Sequence, residues 1–270
     1  MKMQKRQYAA RWIEELLSHG HHTFTRQEAQ SHLKTSPMAT YRALYRLVRE
    51  SRLAMPKAGF YVIVDPPYRA ARIPPPDWFI HSFMEAEKKP YYVGLLSAAQ
   101  IHGAAHHRPQ EFQVILSAKV MRPRPILIGN LRIRFFSKNL FDKSETVQTK
   151  TPTGYETVST PETTAWDLVR FYKSAGGLDN VITVLSELAE RLDSGKLLAT
   201  IKRHGDPFVA RRLGFLLDRA GKKNLTAGLA KWVETGKVPW IPLESREKVE
   251  KALQNKKWRV LVNVELEPEA

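Results

Sequence analysis

The chain has 270 residues, 43% of them apolar, so it can bury a substantial core, and its length favours two domains. Its 43 Lys and Arg against 27 Asp and Glu give a formal net charge of +16, which favours a polyanionic partner such as nucleic acid. The sequence contains no cysteine, so disulfides and thiolate metal sites are excluded. No apolar run is long enough for a signal peptide or for a membrane span of ~20 residues. We therefore expect a cytoplasmic protein with no membrane partner.

The first two predicted elements are helices. Residues 4–18 place apolar side chains at helical spacing and stop at His19-Gly20, which predicts the first helix. Thr25 and Glu28 have the spacing of a capping box at a helix start. In this motif the Thr hydroxyl accepts a hydrogen bond from the backbone N–H of the Glu, and the Glu carboxylate accepts one from the backbone N–H of the Thr. A short second helix should therefore run from Thr25 to Leu33.

A third helix is predicted after a short turn. Ser36 is placed as its N-cap and Pro37 at its first position, where a missing N–H costs nothing, and the pattern continues to about Glu50. Residues that recur at helical spacing form the expected buried stripe: Thr40, Ala43, Leu44, Leu47 and Val48. The rest of the helix surface carries Met38, Tyr41, Arg42, Tyr45, Arg46 and Arg49.

Two short strands follow this helix at once. Residues 52–55 and 60–64 surround Pro56-Lys-Ala-Gly59, which predicts a hairpin with Lys57 at its tip. Three helices followed by such a hairpin, or wing, are the arrangement of a winged helix-turn-helix. We assign this DNA-binding domain to residues 1–65.

The outer face of the third helix mixes Arg with Tyr, which suits phosphate and base-edge contacts with double-stranded DNA. Residues 1–69 hold 12 Lys and Arg against 5 Asp and Glu, a net charge of +7. The candidate DNA-binding residues come from the helix caps, this face and the wing: Thr25, Ser36, Met38, Tyr41, Arg42, Tyr45, Arg46, Arg49 and Lys57. The alternative is a winged-helix protein-interaction adaptor, in which the charged face is only solvated.

Two proline runs in residues 66–77 predict a stiff, extended linker. Arg69 and Arg72 within it are either phosphate contacts or solvated side chains. Residues 78–270 then predict a second domain with a small mixed sheet and several helices. The whole chain is therefore expected to be α+β, with a winged helix-turn-helix followed by a mixed α/β C-terminal domain.

The second domain alternates helical and strand patterns. Helices are predicted at 78–88 and 91–101, and His102-Gly103 ends the latter with a left-handed glycine. Sheet elements are predicted as strands at 111–117, 131–136 and 258–264 and a hairpin at 150–158, with a loop around 126–128. Further helices are predicted to begin at Thr160-Pro161 and to cover 181–192, 195–203, 206–220 and 226–232.

No motif predicts catalysis, a cofactor or a metal. His102, His106 and His107 have a spacing that three zinc ligands can adopt, but a helix end and loop explain them better, and Glu111 is the only carboxylate close by. Acidic clusters typical of nucleases, glycine-rich phosphate loops and nucleophile motifs are absent. We therefore expect no enzymatic activity; the alternative is a nucleic-acid-processing enzyme with an unrecognised active site.

The order of several motifs resembles that of AbiEi-type antitoxins. In the first domain "TYRALYRLVRESRL" is followed by "GFYVI". The second domain adds "YYVGLLSAAQIHGAAHHRP", "VSTPETTAWDLV", "GGLDNVITVLSELAE", "RRLGFLLDRAG" and "WRVLVNVE". Together these segments resemble that family over nearly the whole chain.

The resemblance implies a bacterial transcriptional repressor that is also the antitoxin of a type IV toxin–antitoxin system with a role in phage defence. Such regulators bind inverted repeats in their own promoter through the winged helix and so repress their own operon. They oppose a nucleotidyltransferase-like toxin without a stable complex, and the C-terminal domain is the part associated with antitoxicity. Some relatives stand alone as regulators, so both arrangements stay open.

Overall fold

A computed structural model describes residues 2–104, 109–234 and 239–266, with the backbone alone for residues 2–7. His106 and His107 lie outside the described residues. The chain is mixed α/β, as its sequence predicts, and its strands form three small sheets within the described ranges. Among the helices of those ranges, none is long and apolar enough to cross a membrane.

Residues 2–63 form three helices and one sheet. In chain order the elements are α1 (Lys2–Ser18), β1 (Thr23–Thr25), α2 (Arg26–Leu33), α3 (Pro37–Arg49), β2 (Leu53–Lys57) and β3 (Phe60–Ile63). The strands pair in the order β1-β3-β2, and both pairings are antiparallel. All three predicted helices and both hairpin strands are present, whereas β1 had no counterpart in the sequence pattern. One apolar cluster joins the helices to the hairpin, with Trp12, Leu44 and Tyr61 among its buried members.

The proline-rich segment is not the extended linker that its composition predicts. It contains two turns of 3-10 helix, Pro66–Tyr68 and Pro76–Trp78, and Ile73 between them is only 3% exposed. Proline fixes φ near −65°, and this value suits a 3-10 turn as well as a polyproline helix. The amides beyond each proline run decide the outcome, because Tyr68 N donates to the Asp65 carbonyl and Trp78 N donates to the Pro75 carbonyl.

The middle of the chain builds a six-stranded sheet. Its elements and the helices between them are α4 (Ile80–Ala86), β4 (Tyr91–Val93), α5 (Leu95–Ile101), β5 (Phe112–Ser117), β6 (Ile126–Ile128), β7 (Leu131–Lys138), β8 (Thr146–Thr151) and β9 (Gly154–Ser159). The strand order is β6-β7-β5-β4-β9-β8. Strand β5 runs parallel to β7, β6 antiparallel to β7, and β4 parallel to β9. The predicted strands at 111–117 and 131–136 and the hairpin at 150–158 are confirmed.

Two predictions in this region were wrong. The single helix expected over 91–101 is a strand followed by a helix, because Tyr91, Tyr92 and Val93 favour strand and extended Gly94 delays the helix start to Leu95. Residues 126–128, expected in a loop, form β6, which a two-residue turn at Gly129-Asn130 pairs with β7. The helix expected over 78–88 is present as the shorter α4.

The last part is mainly helical, as predicted. Its elements are α6 (Pro161–Arg170), α7 (Gly177–Leu188), α8 (Ser194–His204), α9 (Pro207–Arg219), α10 (Ala227–Glu234), β10 (Ile241–Pro242), β11 (Leu253–Asn255) and β12 (Val260–Val262). The expected terminal strand is present as β12, the centre of a sheet ordered β10-β12-β11. The cap expected at Thr160 is confirmed, since its hydroxyl accepts from Thr163 N, and Gly103 has the expected left-handed φ of +77°.

By packing, the chain divides into two compact units. The first comprises Met1–Tyr92, Gln110–Phe141 and Gln148–Thr157, and the second comprises Val93–Pro109, Asp142–Val147 and Val158–Ala270. The first unit thus combines the N-terminal helices with strands β5, β6 and β7. In it, Phe60 of β3 meets Phe83 of α4 edge-to-face at a ring-centroid distance of 5.3 Å.

Candidate nucleic-acid interface

Two caps position the third helix. The Thr25 hydroxyl accepts from Glu28 N (3.3 Å), and Thr25 N donates to Glu28 Oε2 (2.6 Å), so the predicted capping box is complete. Lys34 then ends α2 in a left-handed conformation, and the Ser36 hydroxyl accepts from Ala39 N (3.3 Å) at the start of α3. Thr25 and Ser36 therefore have defined structural roles, and any contact they make with a ligand is additional.

The two faces of α3 are separated as expected. Thr40, Leu44 and Leu47 are buried, and the Thr40 hydroxyl lies 2.8 Å from that of Thr35 across the turn before the helix. On the opposite face the large side chains are open to solvent: Met38 is 59% exposed, Tyr41 41% and Tyr45 48%.

The tyrosines of this outer face are ordered by their neighbours. The rings of Tyr41 and Tyr45, one helical turn apart, stack with centroids 6.0 Å apart. The guanidinium of Arg26, at the first position of α2, lies 5.7 Å from the centre of the Tyr41 ring. Sequence reasoning missed Arg26, because its contact with Tyr41 joins two different helices and helical spacing reports only positions on one helix.

The three arginines of α3 point away from the buried stripe. Arg42 and Arg49 are exposed and Arg46 is half-buried. None of them makes an ion pair within the described part of the chain. Arg42 and Arg46 also border an open cleft of about 770 Å³ together with Tyr8 of α1 and Tyr45. The structure thus places the three arginines together with Tyr41 and Tyr45 on the outer face of α3.

Lys57 has a partner that sequence reasoning did not foresee. Its Nζ lies 2.5 Å from Glu87 Oε1, and Lys89 Nζ lies 3.2 Å from the other oxygen of the same carboxylate. Burial raises the pKa of Glu87, but the hydrogen bonds from Lys57 and Lys89 outweigh it and hold the pKa below its ordinary value. The Lys57 side chain is still 54% exposed, so this lysine is accessible but neutralised.

The remaining histidine candidate has a structural role. His102 Nε2 lies 2.7 Å from the Ser159 carbonyl, and burial lowers the pKa of this imidazole although the hydrogen bond opposes the shift. Within the ranges that the structure describes, no group of three or more His, Asp or Glu side chains is arranged to hold a metal ion.

The family comparison addresses the part of the chain that follows the candidate interface. Residues 92–219 match the model of the AbiEi antitoxin C-terminal domain. The chain carries an AbiEi-type antitoxin domain. This match confirms the family that the sequence motifs resemble, and it supports an antitoxin role in a toxin–antitoxin system.

A solved structure extends the likeness over nearly the whole fold. The RV2827C protein from Mycobacterium tuberculosis is similar with a TM-score of 0.69 and 16% sequence identity, over 94% of this chain and 91% of that one. At this level of identity the likeness concerns the fold alone. No curated protein matches the chain.

Proposed function

We propose that the chain is a DNA-binding transcriptional repressor of the cytoplasm and the antitoxin of a type IV toxin–antitoxin system. In this proposal residues 1–65 are a winged helix-turn-helix, with α3 as the reading helix and the β2–β3 hairpin as the wing. The protein binds inverted repeats in its own promoter and so regulates its own operon. A nucleotidyltransferase-like toxin is its functional partner.

The observation that carries the proposal is the outer face of α3. This face presents Arg42, Arg46 and Arg49 beside the stacked pair Tyr41 and Tyr45, and no described carboxylate forms an ion pair with the arginines. An arginine with free N–H groups can donate two hydrogen bonds to a guanine edge or to a phosphate. A helix capped at its start and packed along its opposite face holds such donors in place before DNA arrives.

The second half of the proposal concerns antitoxicity. Residues 92–219 match an antitoxin domain, and the described residues of this stretch include no group of three or more His, Asp or Glu side chains arranged to hold a metal ion. We assign neutralisation of the toxin to this domain and operator binding to the N-terminal domain. The wing contributes through Lys57 once its bond to Glu87 is exchanged for a phosphate.

A binding experiment with three variants tests the DNA-binding half. Gel-shift titrations use the DNA upstream of the protein's own gene at fixed salt. Arg42→Ala should weaken binding by ~1–3 kcal/mol and relax specificity at one base pair. The matched control is Arg219→Ala, which removes an exposed arginine from the end of α9 and should leave binding unchanged. Leu44→Ala should lower the free energy of unfolding by roughly 2–5 kcal/mol, because Leu44 is buried in the core. Its loss of DNA binding should therefore follow the fraction of protein that is unfolded.

Equal affinity of the Arg42→Ala variant and the wild type would reject α3 as the reading helix. Failure of the wild type to prefer its upstream DNA over a random duplex would favour the adaptor function instead. The antitoxin half is tested separately by growth rescue, in cells that express the neighbouring toxin gene. Rescue should require residues 70–270 and should not occur with residues 1–69 alone.

A further inference from the structure

A second strongly basic segment lies outside the proposed reading helix and wing. Residues 119–134 contain five Lys and Arg and no Asp or Glu: Lys119, Arg122, Arg124, Arg132 and Arg134. The segment comprises the loop after β5 and the β6–β7 hairpin up to the middle of β7. We call it the basic arm.

Most of the charge on the basic arm is uncompensated. Lys119, Arg122 and Arg124 are exposed and form no ion pair with any described residue. Arg132 and Arg134 share a single carboxylate, that of Glu111, at 3.6 and 3.3 Å. Their side chains nevertheless remain 59% and 46% exposed. A surface with this excess of cations strongly attracts a polyanion.

The arm is held beside the proposed wing. Both belong to the first compact unit, and β6, the edge strand of its sheet, lies next to β2 of the wing hairpin. The turn of the arm is fixed as well: a Cβ on Gly129 would lie 2.4 Å from the Ala71 carbonyl oxygen, so only glycine permits this close approach. The β6–β7 hairpin of the arm therefore has a defined position relative to the wing.

The backbone of the arm is also restricted before any ligand binds. Arg122 and Arg124 each precede a proline, at 123 and 125, and the residue before proline is confined to extended conformations. A loop with fewer accessible conformations loses less entropy when its side chains are ordered on a partner. Arginine in such a loop suits phosphate, which it can bind through two parallel N–H···O bonds.

We propose that the basic arm is a second contact surface for the backbone of double-stranded DNA, and that it extends the footprint of the protein beyond the wing. This inference rests on the proposed function, because it assumes that α3 and the wing dock on DNA. The arm binds phosphates and reads no bases, so its contribution is the same for every sequence. We place its contacts on the wing side of each half-site, because β6 lies next to β2.

The test compares two triple variants of the full chain. One is Lys119→Gln/Arg122→Gln/Arg124→Gln in the arm. The control removes the same charges from exposed positions of the second unit: Arg191→Gln/Lys202→Gln/Arg219→Gln. Affinity is measured against salt concentration for the upstream DNA and for a random duplex of equal length. Hydroxyl-radical footprints are recorded on the upstream DNA.

For the arm variant, the plot of log affinity against log salt concentration should become less steep by about 0.9 for each phosphate contact that is lost. We expect the loss of about two to three contacts. Its affinity should fall at least tenfold for both duplexes, and its footprint should shorten on the wing side. The control should keep the wild-type slope and footprint. An arm variant with the wild-type slope and footprint overturns the inference while leaving the proposed function intact. A wild type that does not bind its upstream DNA, or an Arg42→Ala variant that binds as well as wild type, rejects the proposed function itself.

Discussion

Helices α3 and α6 begin with the same type of cap but differ in how much of their surface is buried. Ser36-Pro37 opens the first and Thr160-Pro161 the second, and each hydroxyl accepts from the backbone N–H three residues on, at 3.3 and 3.2 Å. Yet α3 buries three of its 13 residues, whereas α6 buries eight of ten. Helix α3 packs against α1, α2 and β2 on one side, while α6 packs against α5, α7, α8 and α9.

The difference shows that a capping signal determines where a helix starts but not what the helix does. Burial on nearly every side makes α6 the centre of the second unit, and even Glu162 and Asp167 on it are buried. The open side of α3 leaves Tyr and Arg side chains available to a partner. Three further predictions test this contrast, from the largest expected effect to the smallest.

The largest contrast is expected for aromatic side chains. Trp166 of α6 is 1% exposed and stacks on His204 at a centroid distance of 4.9 Å, so Trp166→Ala should destabilise the protein by ~3–5 kcal/mol through a cavity. Tyr41→Ala on α3 should change stability by at most about 0.5 kcal/mol. Urea unfolding followed by circular dichroism measures both. Similar losses for the two variants would contradict the contrast between the helices.

Removal of a charged side chain should also destabilise the protein more on α6 than on α3, by a smaller margin than removal of an aromatic side chain. Glu162 of α6 is 4% exposed, and its Oε1 accepts from Asp193 N at 3.0 Å. Glu162→Ala leaves this N–H without its acceptor and should destabilise by ~1–3 kcal/mol. The exposed Arg49→Ala on α3 should be neutral within ~0.5 kcal/mol. Glu190→Ala, which removes an exposed carboxylate of the second unit, serves as the matched acid control. A loss for Glu190→Ala as large as that for Glu162→Ala would show that burial is not the cause.

Removal of the helix caps should give the smallest losses of stability and the smallest difference between α3 and α6. Ser36→Ala should cost about 1 kcal/mol and Thr160→Ala up to about 2 kcal/mol, because the Thr160 hydroxyl also donates to that of Thr163 at 3.0 Å. Ser36→Asp keeps a side-chain acceptor and should restore most of the stability. Thermal unfolding of the three variants provides the measurement. If Ser36→Asp were no better than Ser36→Ala, the cap would not be the source of the loss.

Features encoded over a few residues could be predicted from the sequence. The capping box at Thr25, the caps at Ser36 and Thr160 and the stop at Gly103 each depend on neighbours within four positions, and all are confirmed. The stripe of α3 follows from helical spacing, which is also a local property: Thr40, Leu44 and Leu47 are buried as predicted, while Ala43 and Val48 are only partly buried against the same core.

Features that join distant parts of the chain could not be predicted. The pairing of Lys57 with Glu87 and the contact of Phe60 with Phe83 link the hairpin to residues beyond the proline-rich segment. Periodicity does not report such contacts, nor does it reveal that β5–β7 pack in the same unit as α1–α3. The DNA-binding role of the α3 surface and the domain boundaries at 65 and 77 stay predictions.

The carboxylate of Glu87 has a thermodynamic consequence for the proposed complex. Its pKa is lowered because Lys57 and Lys89 favour the ionised form. When Lys57 turns to a phosphate, Glu87 loses part of that stabilisation and its pKa rises, so the complex binds protons more tightly than the free protein. Binding is then linked to proton uptake, and affinity should increase as the pH falls through the range in which Glu87 titrates. Through this one ion pair, the fraction of DNA that the protein occupies at a given concentration depends on pH.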